Sequence, residues 1–130
     1  MSRSYARECV FKLVFEYLFT QEKNQTMLDE FIELDKNKNE VGYISEVYNG
    51  VIEKFDELKE KIKSSSKTFS IDRIFKIDLA ILLVALYEML YISSIPKTVS
   101  INEALELSKQ FSTDKSGSFI NGVLSNFIGA

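Results

Sequence analysis

The segment from residue 78 to 92 constrains this chain most. It carries Leu79, Ala80, Ile81, Leu82, Leu83, Val84, Ala85, Leu86 and Met89 with Glu88 as the one charge after Asp78. Apolar on nearly every face, it predicts a helix that other elements must enclose. The uninterrupted apolar character ends too soon for a membrane: residues 79–92 number 14, whereas a bilayer span takes roughly 20. A buried helix in an all-α core is the expected outcome. Pro96 forbids its continuation. Glu88 then needs a partner on a neighbouring helix, because an isolated buried charge costs several kcal/mol.

The rest of the chain supplies the enclosure. Ala6, Val10, Leu13, Val14, Tyr17 and Leu18 recur at three and four residues, predicting a first helix from residue 2 or 4 to 19. Arg3, Arg7, Phe11 and Phe15 follow the neighbouring edge. A second helix is expected over 25–34, with Met27, Leu28, Phe31 and Ile32 inward, and then a polar turn over 35–39. A long third helix spans 40–64 with the stripe Val41, Ile44, Val47, Tyr48, Val51, Phe55, Leu58 and Ile62. Ser70 is a candidate cap for a short fourth helix through 76, with Asp72 in its first turn. After the apolar fifth helix, Ser100 and Glu103 have capping-box spacing and predict the start of a sixth ending near Phe111. A seventh runs from about 116 to 129. Within it Gly122 costs about 1 kcal/mol relative to alanine, which predicts close approach of another helix backbone. Asn121 reads equally as a packing or an RNA-facing residue.

Composition narrows the chemistry. The 130 residues include one proline, five glycines and 45% hydrophobic side chains, which fits a single ordered domain over 1–130. With no histidine and a lone Cys9, neither a metal site, a disulfide framework nor nucleophilic Ser-His or Cys-His catalysis is expected. No cofactor motif is present either. The N-terminus lacks a charged-then-apolar leader pattern, so a cytoplasmic location is expected. A net charge of −3 does not favour nucleic-acid binding in general, so any RNA site must be local. Two regions have the required mixture of cations, hydroxyls and aromatics. One is the run from Lys109 through Phe111, Ser112, Thr113, Lys115 and Ser118 to Phe119; the other is the first helix's edge. Composition alone leaves Phe111 and Phe119 equally readable as core anchors and the arginines as snorkelling surface residues.

The order "LYE…IP…V.INEA.EL.K.F…F.NGVL", together with Ala6-Arg7-Glu8-Cys9 near the start, resembles the NusB family of transcription antitermination factors over essentially the whole chain. The resemblance implies a seven-helix bundle of two packed subgroups and no enzymatic activity. It implies a complex with the small-subunit ribosomal protein that doubles as NusE. That pair binds boxA, a short single-stranded RNA in ribosomal leader transcripts, and joins RNA polymerase with other Nus factors. Carried onto this chain, the RNA-facing positions are Arg3, Arg7, Phe15, Phe111, Ser112, Thr113, Lys115, Ser118 and Phe119. The partner-facing positions are Asp78 and Leu82. Arg7→Ala and Lys115→Ala are accordingly expected to weaken RNA binding without unfolding the protein. The family's arginine cluster is here Arg3-Ser4-Tyr5-Ala6-Arg7, and Lys115 stands where an acid is common. A self-associating module whose homodimer buries the RNA face is the alternative reading. NusB-like bundles also occur fused to RNA methyltransferases, but no Gly-rich cofactor motif occurs here.

Overall fold

The computed structural model describes residues 1–65 and 71–130. Seven α-helices and one 3-10 turn make up the described residues, with no strand among them: α1 (Arg3–Thr20), α2 (Gln25–Leu34), α3 (Val41–Glu53), α4 (Phe55–Ser65), α5 (Lys76–Tyr91), α6 (Lys97–Phe111) and α7 (Ser116–Ser125). The expected apolar fifth helix is the axis of the molecule. Every residue of α5 from Asp78 to Met89 is buried, and α5 packs on α1, α3, α4, α6 and α7. It thereby joins a group formed by α1–α4 to the α6–α7 pair.

The predicted stripes are the buried ones. Ala6, Val10, Leu13, Val14 and Leu18 of α1 enter the core, as do Ile44, Val47, Tyr48, Val51, Phe55, Leu58 and Ile62. The long third helix, however, is two helices. It bends at Lys54, whose N–H is shared between the Gly50 and Ile52 carbonyls, while Leu58 N–H still reaches the Lys54 carbonyl at 2.8 Å. The apolar stripe therefore crosses the bend unbroken. The short fourth helix is only a 3-10 turn over Ile71–Arg73, and its proposed cap, Ser70, lies outside the described residues, as do Ser66 and Lys67.

Two glycine and capping expectations also change. A Cβ on Gly122 would meet nothing within 4 Å, so no backbone passes there; a Cβ on Gly50 would lie 2.2 Å from the Tyr87 ring. The close helix approach is thus between α3 and α5. The helix α6 starts at Lys97, directly after Pro96, rather than at a Ser100 cap. Ser100 sits one turn inside, and its hydroxyl donates to Glu88 Oε1 at 2.9 Å. The helix α7 stops at Ser125, and the chain continues in tight turns such as Phe127 N–H to the Leu124 carbonyl at 3.0 Å.

Candidate nucleic-acid interface

Glu88 organises the first half of the candidate site. Its carboxylate is fully buried. Arg7 donates to it through Nε at 2.8 Å and Nη2 at 3.0 Å, and Tyr43 and Ser100 add hydroxyl donors. Burial, followed by the Glu88 charge, pushes the Tyr43 phenol far above its ordinary range. Burial also opposes the charge on Arg7, but the hydrogen bonds and negative charge of Glu88 outweigh it and raise the guanidinium pKa. Arg7 Nη1 makes a further ion pair with Glu103 at 3.2 Å. The network ties α1, α3, α5 and α6 together, and it supplies the partner that Glu88 required.

That arrangement corrects the reading of Arg7 as an RNA contact. Only 4% of its surface is exposed, and its donors face two carboxylates. Removing it strands a buried charge, so Arg7→Ala is not a neutral probe of binding. Arg3 lies at the same end but outside. Its Nε meets Glu40 at 2.5 Å, and its guanidinium lies 4.4 Å from the centre of the Tyr43 ring. Cys9, one turn from Tyr5, is buried, and burial followed by the Glu8 charge pushes its thiol up to about 11. It is an inert core residue rather than a reactive one.

Asp78 organises the second half. Only 4% exposed, it accepts from Ser112 Oγ at 2.5 Å and from Ser116 Oγ at 2.9 Å. Ser116 Oγ in turn meets the Thr113 N–H at 3.3 Å and the Thr113 hydroxyl at 2.9 Å. A carboxylate in the first turn of α5 thus holds the α6–α7 loop in one shape. Asp78 is therefore not a surface acid for a protein partner, and Leu82, fully buried, cannot be a surface contact either. Both expectations were carried over from the family resemblance, and nothing in the sequence around Asp78 announces the loop that returns to it 34 residues later.

The held loop is flanked by two clefts. One, of about 370 Å³, is mainly apolar and lies between Arg73, Phe75, Thr113, Lys115 and Phe119. The other, of about 430 Å³, is lined by Lys109, Ser112, Asp114, Ser118 and Asn121. Lys115 is exposed and forms no ion pair among the described residues. Phe119 and Phe111 are half-buried and pack against the core. Phe111 also stacks on Phe11, their centroids 5.3 Å apart, with Lys12 Nζ 5.6 Å from the Phe111 ring. The structure thus brings together Phe111, Ser112, Thr113, Lys115, Ser118 and Phe119. It adds Arg73, Phe75 and Lys12, which reach the same region from distant positions and have no signature of their own in the sequence.

The NusB family model matches residues 4–129. The chain belongs to the NusB family. A transcription antitermination protein NusB of Finegoldia magna is 38% identical over 98% of this chain and 94% of its own length. One of Acetivibrio thermocellus is 40% identical over 98% of this chain and 89% of its own length. The solved structure of T. maritima NusB superposes with a TM-score of 0.88 at 29% identity, covering 99% of this chain and 92% of that one. The fold is shared with NusB in a crystal structure of antitermination factors NusB and NusE with dsRNA, at a TM-score of 0.85 and 22% identity, over 98% of this chain and 96% of that one. The family is one of transcription antitermination proteins and not of enzymes. Among the described residues of this NusB-family chain, no helix is long and apolar enough to cross a membrane.

Proposed function

We propose that this NusB-family protein is an antitermination factor that binds boxA-type single-stranded RNA through the α6–α7 loop, in complex with NusE. The observation that carries this reading is the loop itself. Its hydroxyls are locked by Asp78, Lys115 is exposed, and the half-buried rings of Phe111 and Phe119 border the same loop. Pre-organised stacking surfaces beside a free cation suit a single strand, whose bases are splayed and whose phosphates need local positive charge. The relatives' shared name supports the antitermination role, and a neighbour of the same fold forms a complex with NusE and dsRNA. The proposal includes recruitment to RNA polymerase with other Nus factors and action on ribosomal RNA operons.

Arg73 and Lys115 line one cleft of an otherwise acidic protein, together with the buried Asp78, so cations outnumber carboxylates there. NusE docking is assigned to the start of α5, where Phe75 is 61% exposed, in place of the buried Asp78 and Leu82. Each lost phosphate contact lowers the slope of log affinity against log salt by about 0.7 on a single strand. Lys115→Ala in the complex with NusE should show that reduction in filter binding to a boxA oligonucleotide, with an unchanged melting temperature. An unaltered slope and affinity would remove Lys115 from the interface.

A further inference from the structure

Beyond the loop, α1 carries a row of rings whose far end, Phe19, the core does not explain. Phe111 stacks on Phe11, Phe11 lies 6.3 Å from Phe15, and Phe15 meets Phe19 edge-on at 5.1 Å and 78°. Phe11 is buried and Phe15 is half-buried against the core, whereas Phe19 is 62% exposed and is not packed against it. From Phe11 to Phe19 the helix rises about 12 Å. The row begins at the loop assigned to RNA and leads away from it.

We propose that this row extends the RNA track, so that a strand leaving the α6–α7 loop past Phe111 stacks a base on Phe19. The inference rests on the RNA reading of the loop. The row is one ring wide, with exposed Lys12 and Thr20 on the same helix, whereas a protein-docking face requires a broader contiguous apolar patch. Bases stack on exposed rings without regard to sequence, and neighbouring cations hold the backbone. Lys12, paired with Glu8 at 2.9 Å and lying 5.6 Å from the Phe111 ring, is the cation at the entrance, and an RNA phosphate there would compete with Glu8 for it. Glu16, beside Phe15, accepts from Asn24 Nδ2 at 2.9 and 3.2 Å, which turns its charge toward the start of α2.

The chain has no tryptophan, so Phe19→Trp places a single indole emitter in it. The variant paired with NusE is titrated with a boxA oligonucleotide and with versions lengthened by a short uridine tract at either end, the wild-type mixture serving as blank. Quenching is expected with one lengthened RNA and not with the unextended one. Phe19→Ala should weaken that lengthened RNA at least about fivefold, with the unextended RNA and the salt slope unchanged, because stacking releases no counterions. No quenching by either lengthened RNA while the unextended RNA still binds would overturn the proposal and leave the loop assignment standing. An emission change on adding NusE alone, or one that grows with protein concentration without RNA, would also overturn it by showing a protein on Phe19. Failure of every RNA to bind would overturn both readings.

Discussion

Arg7→Ala is expected to destabilise the protein by about 3–5 kcal/mol, because it leaves the Glu88 carboxylate buried without its counter-charge. For a chain of this size that corresponds to a melting temperature lower by on the order of 10 °C or more. Tyr43 and Ser100 still donate to Glu88 in the variant, but neither carries charge. Replacing both partners with apolar residues, Arg7→Met with Glu88→Met, should recover most of the loss, since a buried ion pair is often no better than well-packed apolar groups. Thermal melts followed by circular dichroism read both variants. A shift of only a degree or two for Arg7→Ala would show that the network does not hold α1 to α5. RNA affinity of this variant is informative only below its own melting range.

Asp78→Ala is the second large effect. It removes the acceptor for Ser112 and Ser116, and hydrogen bonds to a charged group are worth roughly 1.5–3 kcal/mol each. Some of that is returned as the two hydroxyls find water at the loop surface, so a net loss of about 2–3 kcal/mol is expected in urea unfolding. The more telling consequence is local. Freed from Asp78, the 112–115 loop should lose its single shape, and RNA affinity should fall even where the fold is intact. Asp78→Asn keeps one acceptor oxygen and should retain much of both properties. If Asp78→Ala binds RNA as the parent does while amide shifts of the loop change, the loop's shape does not govern recognition.

Both effects concern residues whose burial the sequence did not disclose. Periodicity located the helices because apolar side chains at three- and four-residue spacing have one physical use, which is to face a core. The buried stripes of α1, α3 and α4 were legible for that reason, and so was the enclosure of α5. Charged residues at the same spacing are ambiguous. Arg3 and Arg7 are one helical turn apart, yet the first is half-exposed beside Glu40 and the second is enclosed by Glu88, 81 residues distant. Nothing local separates them. Ser100 and Glu103 likewise have the spacing of a capping box, but that spacing also puts two side chains on one face inside a helix. Here the face turns to Glu88 and Arg7. Gly50 and Gly122 look alike in the sequence, but the Tyr87 ring fills the space beside the first and nothing lies within 4 Å of a Cβ on the second. The loop residues 111–119 were legible as a mixture suited to RNA, whereas Arg73, Phe75 and Lys12 join them only through the packing of α1 and α5 against α6 and α7.

Charge bears most directly on the proposed function. With a net charge of −3, the chain alone has little long-range attraction for RNA. A basic partner seated at the start of α5 would extend the track from Arg73 and Lys115, and two adjoining surfaces on one strand gain from effective concentration. The decisive measurement is the affinity of the chain for a boxA oligonucleotide with and without NusE, at one fixed salt concentration. The account predicts weak binding by the chain alone and affinity at least about tenfold higher with NusE, or roughly 1.4 kcal/mol. Equal affinity in the two conditions would contradict it.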